Sequence, residues 1–270
     1  MAKSCHIPGS RIVYFLILMK QVIKNIIHKS GYSIVRTKAL HAPQTQLPIT
    51  RDDFFNLYFS RVPTDFFFLQ IGANDGVIND PIREYVVKYG LRGMGVEPQP
   101  AVFERLCNTY RGTSVECVNA AIGSKDLTFY TVKTSMMTEE NFGAMTCIAS
   151  FNKKIMTGLL KKNIPKGADP VDYIDENAVP VMSFSDLVES RNIKKIDMLQ
   201  IDCEGYDHEL LRVFDFDRFS PSLINFESVF FSDAVREEIE DMLTARGYHL
   251  FRDEAWDTCA YKIRDANMAL

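Results

Sequence analysis

Residues 66–76 read Phe-Phe-Phe-Leu-Gln-Ile-Gly-Ala-Asn-Asp-Gly. Phe66 to Ile71 form a run that is apolar apart from Gln70, too short for a helix and bounded by turn residues. Such a run predicts a strand buried on both faces, of the kind found in the middle of a parallel sheet. It stops at Gly72-Ala73-Asn74-Asp75-Gly76, and a helix is predicted over Arg83–Tyr89. Glycines between a buried strand and a helix let backbone approach a ligand closely, and a helix start offers N–H groups to polar ligand atoms. The stretch therefore predicts a nucleotide-type cofactor site.

Downstream, strand and helix signals alternate from Thr64 onward, the pattern of an α/β layer fold. Gly93–Val96 is a second strand ending at Glu97, and Ala101–Tyr110 is helical. Ser114–Ala121 is a third strand, and Leu127–Val132 is expected to be a shorter fourth. Residues 133–179 break the rhythm: they are polar, rich in Met, Lys and Asn, and carry Lys153-Lys154 and Lys161-Lys162. A long insertion between strands is expected to be a lid or substrate-binding segment, the alternative being a solvated excursion. Ser185–Ser190 is a short helix before Ile196–Ile201, the second strongly buried strand. The helices Tyr206–Phe214 and Asp233–Arg246 flank the strand Leu223–Phe226, and Tyr248–Arg252 with Cys259–Ile263 closes the chain as an antiparallel pair around Trp256.

Upstream, residues 1–50 are expected to form an amphipathic helix and a linker, leaving 51–270 as the main domain. Ile12–Met19 is an apolar run of eight, too short to span a bilayer. Val22, Ile23, Ile26 and Ile27 extend its apolar face, and Lys20, Lys24, Lys29 and Arg36 give it a basic side. Residues 11–29 are thus expected either to rest peripherally on an anionic membrane surface, such as the inner membrane face, or to pack on the main domain. Thr37–Thr50 contains Pro43 and Pro48 and reads as a linker. The net charge of −4 offers no global attraction to nucleic acid, so no nucleic-acid partner is expected. Cys5, Cys107, Cys117, Cys147, Cys203 and Cys259 are scattered without a C-x-x-C pair, which suits reduced thiols in a cytoplasmic protein. No histidine pattern fits a zinc site, and no metal is assigned.

Several candidate site residues follow from strand ends. The glycine spacing is G-x-x-x-G, with Asn74 where a dinucleotide fingerprint has its second glycine. That leaves less room for a pyrophosphate, so an NAD-type oxidoreductase is the alternative, and a non-catalytic cofactor-binding protein a second. Glu97 ends the second strand about twenty residues later, where a carboxylate accepts hydrogen bonds from both ribose hydroxyls. Asn119-Ala120-Ala121 leaves space for a flat ring such as adenine. Asp202, Glu204 and Glu227 end two further strands, and ligands of open α/β sheets bind outside such ends. The competing account of Glu204 and Asp207 is that they complement a helix dipole. His208 is expected to face solvent.

In this order and spacing, L-Q-I-G-A-N-D-G (69–76), G-V-E-P (95–98), N-A-A-I-G (119–123), I-D-M-L-Q-I-D-C-E-G-Y-D (196–207) and L-I-N-F-E (223–227) resemble the FkbM family of S-adenosylmethionine-dependent methyltransferases. The resemblance runs from about Asp65 to Lys262. It implies a doubly wound, Rossmann-like, seven-stranded class I methyltransferase sheet with one antiparallel strand near the C-terminus. It also implies O-methylation of a hydroxyl on a sugar, glycan or related small-molecule acceptor. By position, Gly72, Asn74, Asp75 and Gly76 would lie along the methionine side of S-adenosyl-L-methionine, Glu97 by its ribose and Asn119 and Ala120 by its adenine. Asp202 would sit near the reacting end. An alcohol needs a base as the new bond forms; Asp202 or Glu227 is the expected base, with Glu204 in reserve.

Overall fold

The computed structural model describes residues 50–124, 127–176, 179–252 and 256–263. The expected amphipathic helix and most of the linker lie outside the described residues. In chain order the elements are α1 (Arg51–Phe59), β1 (Phe67–Ile71), α2 (Arg83–Tyr89), β2 (Arg92–Val96), α3 (Pro100–Thr109), β3 (Val115–Val118), α4 (Phe142–Thr146), α5 (Lys153–Asn163), α6 (Pro170–Tyr173), α7 (Phe184–Ser190), β4 (Met198–Ile201), α8 (Asp207–Val213), β5 (Leu223–Glu227), α9 (Asp233–Ala245), β6 (His249–Arg252) and β7 (Asp257–Tyr261).

These strands form a seven-stranded sheet in the order β6-β7-β5-β4-β1-β2-β3. β1 pairs in parallel with both β2 and β4, and β4 with β5. β7 runs antiparallel to β5 and to β6, so it alone opposes the other six. Strand order reverses between β1 and β4, and the carboxyl ends of those two strands flank the crevice such a switch point opens. The doubly wound α/β sheet read from the sequence is therefore the fold of the protein.

β1 is buried because both of its faces are covered. Leu69 and Ile71 join Leu187, Leu210, Leu211, Ile239 and Leu243 from α7, α8 and α9. On the other face Phe68 packs with Phe54, Phe55 and Phe59 of α1, Tyr85 and Val86 of α2, and Leu106 of α3. Gly93 of β2 makes room for the Phe68 ring, since a Cβ there would lie 2.2 Å from it. α1 starts with a reciprocal cap in which Thr50 Oγ1 accepts from Asp53 N–H and Asp53 Oδ2 accepts from Thr50 N–H, as its acidic first turn favours.

Two expectations need correction. The shorter fourth strand, expected over Leu127–Val132, is reduced to Thr131–Val132, which pairs antiparallel with Ile174–Asp175 outside the main sheet. The third strand stops at Val118; beyond it Ala121–Ile122 pairs with Val181–Met182. The break falls at Asn119, whose Nδ2 donates to the carbonyls of Glu97 and Pro98 and so pulls the chain out of the ladder.

The described part of residues 133–179 is neither a bare loop nor a solvated excursion. They contain α4, α5 and α6 and share a small core of Val132, Met145, Ile148, Met156, Leu160 and Ile174. In α5 the pairs Ile155/Met156 and Leu159/Leu160 recur at helical spacing, a signal that the surrounding lysines obscure. No helix among the described residues is long and apolar enough to cross a membrane.

Candidate active site

A cavity of about 710 Å³ opens at the carboxyl ends of β1, β2, β4 and β5. Gly72, Asn74, Glu97, Ala120, Asp202, Glu204 and Glu227 all line it, so most of the expected site residues converge. Asp75, Gly76 and Asn119 do not line it. Asp75 Oδ1 instead accepts from Val77 and Ile78 N–H, fixing the turn after β1. Gly76 serves helix packing, since a Cβ there would lie 2.9 Å from the Tyr110 ring. Asn119 braces the end of β2 through the two bonds already described.

Gly72 is where backbone meets backbone. Its φ is +81°, and a Cβ would fall 1.8 Å from the Asp202 carbonyl oxygen. β1 and β4 can end side by side only because this position has no side chain. Asn74 follows at φ +46°, and its N–H donates to Glu97 Oε2 at 3.1 Å. Glu97 Oε1 accepts from Gln99 N–H at 2.8 Å. The glycine turn and the acid from the neighbouring strand are thus one hydrogen-bonded unit. A carboxylate has about four acceptor sites, so two backbone donors leave capacity for ligand hydroxyls. Burial raises the Glu97 pKa to about 7, while the Gln99 and Asn74 N–H groups pull it down.

The second acidic group is built by the turn after β4. Glu204 sits at φ +48° and Gly205 at +89°, a conformation uncommon for a residue with a side chain. It is held there from the insertion, whose Ser150 Oγ donates to the Glu204 carbonyl at 2.9 Å. Asp207, fully buried, ties the strand ends together. Its Oδ2 accepts from Cys203 N–H and its Oδ1 from Glu227 N–H, both at 3.2 Å. Its role is therefore cross-strand bracing in addition to the dipole placement expected of a first-turn acid. Burial and the Asp202 charge push it up to about 8.

Asp202, Glu204 and Glu227 are all displaced upward. Burial comes first in each, followed by Asp257 for Asp202 and by the Asp202 charge for the other two. Glu227 is 6% exposed, and its Oε2 is buried without a hydrogen-bond partner among the described residues. Gln70 Oε1 is in the same condition on a side chain that is 2% exposed. Both residues line the cavity. Buried polar atoms are nearly always paired, so two orphaned oxygens on residues that line one cavity fit a polar ligand that supplies their hydrogen bonds. His208 does not line the cavity. It is half-buried with its ring against Phe231, not turned to solvent as expected, and burial lowers its pKa.

Several cavity residues escaped the sequence reading. Gln70 and Gln200 line the cavity and share one register across β1, β4 and β5 with Asn225, which does not line it. Asn225 Nδ2 donates to Gln200 Oε1 and to Asp257 Oδ2. The signal was a polar residue at the same place in three strands, each apolar up to that point. The insertion also supplies a wall: Gln99 Nε2 donates to the Thr146 carbonyl and Asn74 Nδ2 to Cys147 Sγ. Phe129 and Phe151 pack together with Ala121, and both phenylalanines line the cavity along with Ala120 and Ile122. Trp256, 57% exposed, stands at the edge of the same cavity.

The family model for the methyltransferase FkbM domain matches residues 70–250. The chain belongs to the FkbM methyltransferase family. It is therefore a methyltransferase of the S-adenosylmethionine-dependent class, and the matched residues carry the glycine turn and every acid that lines the cavity except Asp257. Among solved structures it is similar to a precorrin-6y C5,15-methyltransferase from Geobacter metallireducens, at 13% identity over 84% of this chain and 95% of that one, with a TM-score of 0.40. It is also similar to a human methyltransferase 10 domain containing protein (9% identity, 90% and 97% covered, TM-score 0.37). A Methanococcus jannaschii fibrillarin pre-rRNA processing protein is a third (12%, 81% and 70%, 0.37). No curated protein matches the chain significantly.

Proposed function

We propose that this FkbM methyltransferase transfers a methyl group from S-adenosyl-L-methionine to a hydroxyl of a sugar, glycan or related small metabolite. The observation that carries the reading is Glu227. Glu227 lines the cavity together with Gly72 and Glu97, and its Oε2 is buried without a hydrogen-bond partner among the described residues.

The residues suit the cofactor: a glycine turn with no room for a Cβ, an acid already bonded to that turn, and an apolar lining that includes Ala120. When bound, S-adenosylmethionine supplies a methyl carbon made electrophilic by the sulfonium charge. Glu97 would accept hydrogen bonds from the ribose hydroxyls, and Ala120, Ile122 and Phe151, which line the cavity, would pack against the adenine. Holding acceptor and donor in line can supply up to ~7–11 kcal/mol of barrier lowering. With the cofactor bound, Glu227 Oε2 would take the acceptor hydroxyl's proton as the oxygen–carbon bond forms and the carbon–sulfur bond breaks, leaving S-adenosylhomocysteine, an effect worth about 10²–10⁴-fold. Asp202 and Glu204 beside it favour cationic and hydrogen-bond-donating groups. A positive charge delivered next to these carboxyls favours their ionised forms, which readies the base. The exposed Trp256 face at the cavity edge suits the apolar face of a sugar ring.

The test is incubation of the full chain with methyl-labelled cofactor and fractionated glycans, lipids, proteins and RNA. Label recovered as a methyl ether on a glycan or small polyol supports the reading. Label confined to protein, to RNA, or to nitrogen or carbon atoms would overturn it.

A further inference from the structure

We propose that Arg51 receives the carboxylate of the cofactor's amino-acid end. The inference rests on the S-adenosylmethionine reading and adds to it a residue that lies outside the family-matched segment 70–250. The cavity is lined by six acids, namely Asp80, Glu97, Asp202, Glu204, Glu227 and Asp257. Among the described residues that line it, Arg51 is the one with a cationic side chain. The cofactor carries a sulfonium and an ammonium, whose charges favour the ionised forms of those acids, and one carboxylate, which the acids repel once ionised. The carboxylate needs a fixed positive partner, and a guanidinium suits it because its planar fork matches carboxylate geometry.

Arg51 is also held in place. Its Nη1 donates to Asp257 Oδ2 at 2.8 Å, and the same oxygen accepts from Asn225 Nδ2 at 2.8 Å. Asn225 in turn donates to Gln200, the register neighbour of Gln70 on β1. The guanidinium therefore stands at the end of a row of polar side chains that reaches the strand ending at Gly72. Asp257 is near enough to Asp202 for its charge to act on it, and Asp202 is the residue whose backbone touches Gly72. Asp52 Oδ1 lies 3.9 Å from Arg51 Nε and the Phe55 ring 6.0 Å from the guanidinium, and with five N–H donors a guanidinium can take a ligand carboxylate in addition to its protein partners. Its side chain is 27% exposed, so it meets the cavity with most of its stem buried.

The test is calorimetric titration of the full chain, wild type and Arg51→Met, with three ligands. These are S-adenosylhomocysteine, its decarboxylated analogue S-adenosyl-3-thiopropylamine, and 5′-methylthioadenosine. Arg51→Met is expected to weaken S-adenosylhomocysteine roughly 10- to 100-fold, as for loss of a charged hydrogen bond. The two ligands without a carboxylate are expected to bind both proteins within twofold. Arg51→Lys, which keeps the charge, is expected to recover part of the loss. Unchanged affinity for S-adenosylhomocysteine would overturn the assignment and leave Arg51 to the acceptor. Equal losses for all three ligands would overturn it in favour of a purely structural role. A wild type that binds none of the three would remove the cofactor reading itself, and this inference with it.

Discussion

Single residues here are placed by what their neighbours leave unsatisfied. Glu227 presents a buried oxygen with no partner among the described residues, and Glu227→Gln keeps the shape while removing the proton acceptor. Turnover of the cognate acceptor is expected to fall about 10²–10⁴-fold, with S-adenosylhomocysteine affinity within a few fold. Single-turnover rates beside calorimetry check both halves, and a wild-type rate in the variant would refute the role. Gly72 makes a different demand. A methyl group there would meet the Asp202 carbonyl at 1.8 Å with φ at +81°. Gly72→Ala is expected to destabilise the protein by about 1–3 kcal/mol from backbone strain and overpacking and to abolish cofactor binding. Urea unfolding and calorimetry report the two effects. Gly72, Glu97, Asp202 and Glu227 were all legible in the sequence because each sits at a strand-to-turn boundary. Asp75 and Asn119 sit at such boundaries too, yet spend their side chains on backbone groups.

At the scale of elements, the insertion between β3 and β4 is part of the site wall. Three hydrogen bonds fasten it to the site turns and to the residues after β2: Ser150 to Glu204, Gln99 to Thr146, and Asn74 to Cys147. Ser150 is fully buried and also accepts from Asn152 N–H at 3.0 Å. Ser150→Ala leaves both backbone partners unsatisfied, a loss of about 1–3 kcal/mol. Hydrogen exchange should then quicken at residues 203–206 as well as in the insertion. Faster exchange in the insertion alone would mean that it does not support the acidic turn. Helix α5 escaped sequence reading because lysines dominate its composition, while its buried face amounts to little more than Met156 and Leu160. Arg51 escaped for the opposite reason: nothing near it in the chain distinguishes a cavity arginine from a surface one.

For the molecule as a whole, the buried acids tie stability to pH. Glu97 moves from an ordinary value near 4.5 to about 7, and Asp207 from near 3.8 to about 8. The folded state therefore holds protons that the unfolded chain has already released. The stability linked to these groups is complete below about pH 4 and is lost as pH rises through 7 and 8. With ~1.4 kcal/mol for each unit of displacement, thermal midpoints of the ligand-free protein are expected to fall from pH 6 to pH 8. Glu97→Gln is expected to flatten that fall. A midpoint that rises over the same range would refute the assignment.

By itself the sequence determined the alternation of strands and helices, the closing antiparallel pair, and the placing of glycines and acids at strand ends. Those features are local: an apolar run, a turn glycine or a helix cap acts on its own neighbours in the chain. Only the tertiary structure decided that Glu97 bonds to the glycine turn, that Asp207 bridges two strand ends, that the insertion walls the cavity, and that Arg51 reaches it beside Asp257. Periodicity records that a residue is covered but not by what, and both desolvation and charge proximity depend on the covering partner.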